Sequence, residues 1–243
     1  MKKRRTWVWL WLAALLVVPV TAAAAIPGPH RAICPQCFGL TKISDDIWTD
    51  APRSQHAQLF ELVSNSRRPV EDWLGPQIGT PRIILCTLGG GPCDALFGPT
   101  PVRGLAWGAY LVRLNPQGIN PTIVTHELFH IELHARMGQW GMWTNSIPRW
   151  FNEGMAVHVS RDARFTTEYS DEDEEWARSI VSLHDWKREV NADTWPRAYG
   201  ASAQIIMKLE KRIGADGLKA IIRDVTENNL SFEKALEAQR QEN

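Results

Sequence analysis

Apolar positions along the chain alternate between helical and extended spacing. His56, Leu59, Phe60 and Val63 stand at i, i+3, i+4 and i+7 and predict one amphipathic helix over residues 55–65. Residues 81–87 (PRIILCT) and 104–114 (GLAWGAYLVRL) each predict a strand, with a glycine-rich CTLGGGPCD turn and irregular chain between them. No helix is expected to begin in that turn, and no Gly-Lys-Ser/Thr follows its glycines, so a phosphate loop is excluded. Asn120 and Pro121 supply an N-cap and a first-turn proline for a strong helix that Gly138 stops after Met137. A loop carrying Trp140 and Trp143 follows over 139–145, then a helix that starts at Ser146 and Pro148 and runs to about Ser160. The acids from Asp171 to Glu175 suit a solvated helix start, because carboxylates favour helix N-termini. Residues 196–212 and 215–226 read as two helical segments separated by Ile213 and Gly214. These elements specify an α+β fold: a small mixed or antiparallel sheet packed on the helix that Pro121 opens, followed by a mostly helical C-terminal half.

The first 28 residues follow a different pattern. A basic head (Lys2, Lys3, Arg4, Arg5), an apolar stretch from Trp7 to Val20 and an alanine run from Ala22 to Ala25 are the three parts of a secretory signal peptide. Cleavage near Ala25 is the expected fate, leaving residues 26–243 as one domain in an exported, periplasmic or secreted protein. An uncleaved anchor is the alternative, because residues 7–26 carry no charge and ~20 apolar residues can cross a bilayer. A membrane is therefore a partner only if this segment stays attached.

Composition changes the picture in one respect. Over 243 residues the 27 basic and 27 acidic side chains cancel, but the four in the basic head belong to the leader, and without them 23 basic face 27 acidic groups. A mildly acidic chain lacks the clustered Lys and Arg that phosphate neutralisation needs, which excludes nucleic acid as a partner. Nothing in the pattern specifies an oligomeric state. The four cysteines, Cys34, Cys37, Cys86 and Cys93, suit an oxidising compartment. Local pairing, Cys34 with Cys37 and Cys86 with Cys93, is preferred because each bridge closes a short loop. A redox dithiol at Cys34-Pro-Gln-Cys37 and a structural zinc site are the weaker alternatives, the first for want of a preceding βαβ strand and the second for want of ribbon spacing.

The candidate chemistry lies at His126-Glu127-Leu128-Phe129-His130, an H-E-x-x-H pattern on the predicted helix. Residues four apart lie about 40° apart around a helix, so both imidazoles can grip one ion, while Glu127 lies about 100° from His126 and flanks it. Only ~0.01 occurrences of the pattern are expected by chance at this length and composition. Two histidines alone make a poor zinc site, so a third donor is required. His134 is turned roughly 80° from His126 and is expected in solvent or behind the ligands, and position 136, where a metzincin has its third histidine, is Arg136. Glu153 is a further acid on the next helix, and its neighbours Trp150, Phe151, Met155 and Val157 form an apolar setting in which an unpaired carboxylate would be costly.

H-E-x-x-H followed on the next helix by Trp150-Phe-Asn-Glu153-Gly-Met-Ala156 resembles the gluzincin metallopeptidases, the thermolysin and aminopeptidase N superfamily. The resemblance is strong over residues 120–156 and weak over 198–214. It implies a zincin-like fold in which His126, His130 and Glu153 bind Zn2+ and Glu127 is the general base that activates water. The weaker stretch, Ala198-Tyr199-Gly-Ala-Ser202, resembles the helix whose tyrosine stabilises the oxyanion, which implies that role for Tyr199. Two family features are missing. No G-x-M-E-N segment is present to capture a substrate amine, so the resemblance implies an endopeptidase acting on peptide or protein substrates. Position 157 is Val157 rather than the aspartate that supports a ligating histidine in thermolysin-like enzymes, and a backbone carbonyl or another acid is expected in its place. A non-catalytic zinc domain that binds protein and a zinc amidase acting on cell-wall peptides are the alternative functions.

Overall fold

The β-branched and leucine-rich segments of the first half pair as one five-stranded mixed sheet in the computed structural model, which describes residues 28–241. The expected leader and its anchor alternative lie outside the described residues, and no described helix is long and apolar enough to cross a membrane. The strands are β1 (Thr41–Lys42), β2 (Ile47–Thr49), β3 (Arg82–Leu85), β4 (Gly104–Trp107) and β5 (Leu111–Leu114). Their spatial order is β1-β2-β3-β5-β4, with β2, β3 and β5 parallel and the outer strands antiparallel to their neighbours. Strand β3 is a continuous apolar run because both of its faces are covered. Ile83 and Leu85 join the main core beneath the helices, whereas Ile84 and Cys86 join a second cluster with Cys93, Leu96 and Leu111.

Residues 104–114 form two strands rather than one. The chain reverses between them at Gly108, whose φ of +54° favours glycine, and Gly104 pairs with Leu114 across the resulting hairpin. The helices are α1 (His56–Leu74), α2 (Pro92–Phe97), α3 (Pro121–Thr144), α4 (Arg149–Ser160), α5 (Asp171–Ser179), α6 (Leu183–Glu189), α7 (Trp195–Thr226) and α8 (Phe232–Gln241). Helix α1 runs nine residues beyond the expected end because Val70 continues its buried face. Helix α2 starts inside the turn in which no helix was expected, with Pro92 in its first turn and Cys93 fully buried. Residues 139–144 are helical rather than a loop: Gly138, at φ +64°, breaks α3 but the chain resumes its helix beyond it. Gly214 interrupts α7 in the same way, as the sequence predicts. The acidic run does begin a helix, α5, with Ser170 and Asp173 capping each other's backbone N–H groups.

Both preferred disulfides are present, Cys34–Cys37 and Cys86–Cys93, and no described cysteine is free. The two bridges point to an oxidising environment. Asn120 caps α3 by accepting from the Ile123 N–H, and residues 123–133 are all buried because α1, α4 and β4 pack around this helix. An α-helix surrounded on all sides loses its amphipathic stripe. Polar side chains in such a segment therefore need partners, and those that have structural ones are soon accounted for. Thr125 donates to the Ser66 carbonyl, and Glu132 accepts from the Ile78 and Gly79 N–H groups. His126, Glu127 and His130 are the other polar side chains of this segment.

Candidate metal centre and cleft

Helices α3 and α4 cross so that Glu153 faces the histidines of α3. His126 Nε2 and His130 Nε2 lie 3.0 Å apart, and Glu153 Oε2 lies 3.4 Å from the first and 3.3 Å from the second. All three side chains are buried. Donors bound at about 2.0–2.1 Å around a tetrahedral ion stand about 3.3 Å apart, so this triangle has the dimensions of one face of such a shell. Glu153 Oε2 has no hydrogen-bond partner although it is buried, and a buried carboxylate oxygen left in that state is costly. The residues present therefore fit a metal ion, and His126, His130 and Glu153 form the only such group among the described residues.

Arg149, one turn before Glu153 on α4, sets how that carboxylate is presented. Its guanidinium lies 2.6 Å from Oε1 and occupies it, so that Oε2 alone faces the imidazoles. Burial works to raise the Glu153 carboxyl, but the Arg149 charge and then His130 outweigh it and hold the group ionised, well below its ordinary value. Sequence reasoning missed Arg149, although its i, i+4 spacing to Glu153 is a legible signal on a helix.

The support expected from an acid or a backbone carbonyl comes for His130 from a side-chain amide: Asn152 Oδ1 lies 2.7 Å from His130 Nδ1. His134 is neither solvated nor a ligand. It lies behind the pair, with Nε2 3.2 Å from Asn152 Nδ2 and Nδ1 3.1 Å from the Gly108 carbonyl. Burial, followed by the neighbouring His130, lowers its pKa to about 4, so it is neutral at ordinary pH. His126 Nδ1 is buried without a hydrogen bond.

Glu127 faces a cleft of about 550 Å³ that His126, Gly104, Phe165, Trp186, Trp195 and Tyr199 also line. Burial raises the Glu127 carboxyl to about 7, opposed by the charge on His130. The folded value exceeds the ordinary 4.5, so ionisation works against the fold: the stability this group contributes is intact below pH 4.5 and is lost as pH rises through about 7. Metal-stripped Glu127→Gln protein is accordingly expected to be more stable than metal-stripped wild type above pH 7, by on the order of 3 kcal/mol. Denaturant titrations should show that advantage vanish below pH 4.5.

Gly104 serves the site by leaving room for Glu127. A Cβ there would stand 2.6 Å from Glu127 Oε1 and 2.7 Å from its Cγ. Both lie far inside contact distance, so the whole Glu127 side chain would have to move. Gly104→Ala is expected to lower kcat at least tenfold in any reaction that Glu127 carries, since reacting groups tolerate little displacement. Unchanged turnover would show that Glu127 has room to relocate.

Tyr199 is brought close to the candidate ligands, with its ring 5.8 Å from that of His126. It stacks on Phe165 and meets Trp186 and Trp195 edge-on. Its hydroxyl has no hydrogen-bond partner among the described residues. Burial, and then the Glu153 charge, raise its pKa well above 10, so it stays a proton donor. Two other features of the sequence lie apart from the cleft. Arg113 does not face the cleft: it is buried on the opposite face of the sheet, donating to the Gly98 carbonyl and to Asn115. Trp140 and Trp143 are exposed and pack edge-on against each other, away from the cleft walls. The walls are instead Phe165, Trp186 and Trp195, which local sequence did not single out. In comparisons with known proteins the chain matches no family model and no curated protein.

Proposed function

We propose that this protein is a zinc metallopeptidase of gluzincin type that cleaves peptide bonds within a chain. The observation that carries the reading is the convergence of two imidazole nitrogens and one orphaned carboxylate oxygen at the edge of an open cleft that Glu127 also faces. A structural zinc site closes its shell with four protein donors, whereas three donors beside a cleft and a carboxylate that ligates nothing are the catalytic pattern. Zinc, when bound, polarises the scissile carbonyl and lowers the pKa of water.

The chain's own residues supply the rest. Glu127, with a carboxyl group tuned towards neutrality, takes a proton from the attacking water and passes it to the leaving amine. Tyr199 donates its hydroxyl hydrogen to the developing oxyanion. Strand β4 is an edge of the sheet and lies over α3, so an extended substrate can add to it by backbone hydrogen bonds. Apart from Glu127 no acid lines the cleft, and the other charged lining groups are Arg103 and Arg164. A free substrate ammonium thus finds no fixed acidic partner, which favours internal cleavage.

The test pairs metal analysis of purified protein with two peptides of identical sequence, one N-acetylated and one free. One zinc per chain and internal cleavage of the blocked peptide, absent in Glu127→Gln, are expected. Stepwise shortening of the free peptide alone would overturn the endopeptidase reading, and lack of stoichiometric zinc would overturn the metallopeptidase reading.

A further inference from the structure

We infer that His134 is a positioning residue for the metal centre: acting through Asn152, it decides which nitrogen of His130 is free to ligate, and it ties that choice to the β4–β5 turn. The inference rests on the metallopeptidase reading and deepens it. The Gly108 carbonyl oxygen can only accept, so His134 Nδ1, 3.1 Å away, carries the hydrogen. In a neutral imidazole the other nitrogen then holds a lone pair, and His134 Nε2 accepts from Asn152 Nδ2 at 3.2 Å. That bond orients the amide with Oδ1 towards His130, 2.7 Å from Nδ1. A carbonyl oxygen also only accepts, so His130 Nδ1 carries the hydrogen and Nε2 keeps its lone pair for the ion.

Without His134 nothing at that end of Asn152 distinguishes its oxygen from its nitrogen. Flipped by 180°, the amide would offer Nδ2 to His130 Nδ1, drive the hydrogen onto Nε2 and block the ligating atom. His126 Nδ1 has no corresponding bond, so the ordering acts on one ligand of the pair. The chain of bonds begins in the turn that joins β4 to β5. Gly108 sits at φ +54°, and a Cβ there would meet the Tyr110 ring at 3.3 Å. The turn that ends the strand proposed to receive substrate and the imidazole proposed to hold zinc are thus joined by three hydrogen bonds.

The experiment has two arms. Long-range proton–nitrogen spectra of the metal-stripped, imidazole-labelled wild type read each tautomer directly, with His134 variants assigning the signals. Protons on Nδ1 at both His134 and His130 are expected, and a proton on Nε2 at either overturns the proposal. Zinc affinity is then measured by chelator competition in His134→Leu and His134→Gln. Residues behind a ligand typically contribute 10–100-fold in affinity, so His134→Leu is expected to bind zinc 10–100-fold more weakly. His134→Gln, whose side-chain oxygen can accept from Asn152, is expected to recover most of that loss. A leucine variant that binds as tightly as wild type, or a glutamine variant no better than leucine, would overturn the positioning role while leaving the metal reading intact. Wild-type protein that binds no zinc would remove both. If the leucine variant does not fold, the wild-type spectrum and the glutamine variant still decide the matter.

Discussion

Glu127→Gln is expected to lower peptide hydrolysis by about 10²–10⁴-fold, the usual contribution of a positioned general base, without changing the zinc content. Glutamine keeps the shape of the side chain, so the tight fit under Gly104 survives. It cannot accept the proton of an attacking water, and no other acid lines the cleft to replace it. The informative quantities are kcat, KM and bound metal measured on the same preparation. A fall in kcat at unchanged KM and full metal content places the loss in the chemical step. Comparable turnover in the variant would remove Glu127 from the mechanism and leave the cleft as a binding groove.

Glu153→Ala is expected to weaken zinc binding on the order of 10³-fold, about one third of the free energy typical of a zinc site with three or four protein donors. The deletion removes the one donor that α4 contributes, and two histidines from a single helix do not enclose an ion. It also strands the Arg149 guanidinium, which loses its carboxylate partner and adds an unneutralised positive charge near the vacated position. The double variant Arg149→Met with Glu153→Ala separates these effects: relief of the charge should recover part of the affinity, and the missing oxygen should account for the rest. Zinc affinity measured by chelator competition reads both. Undiminished affinity in Glu153→Ala would exclude Glu153 as a ligand.

The features legible in the sequence are those governed by near neighbours. Asn120, Pro121 and Gly138 bound the main run of α3 because capping and helix breaking act within one turn. The four-residue spacing of His126 and His130 puts both imidazoles on one side of that helix whatever surrounds it. Cys34 with Cys37 and Cys86 with Cys93 pair across loops too short for much else to intervene. Glu153 was a candidate because a carboxylate among Trp150, Phe151 and Met155 needs a partner, but nothing local says that the partner is a pair of histidines on α3.

Long-range packing decided the rest. Residues 104–114 read as one apolar strand, and only the pairing of β4 with β5 shows that Gly108 folds the segment into a hairpin. The parallel pairing of β2, β3 and β5 joins segments far apart in the chain, which periodicity cannot register. Arg113 turned away from the cleft because strand alternation puts it on the face opposite Val112 and Leu114. Asn152 and His134 acquired their places in the same way: each is an ordinary polar residue on its own helix, and their bond exists because α3 and α4 cross where they do. Periodicity records which face of an element is apolar. Which polar groups meet across that face depends on how the elements cross, and the crossing is set by the packing of Phe129, Phe151 and Met155 in the common core.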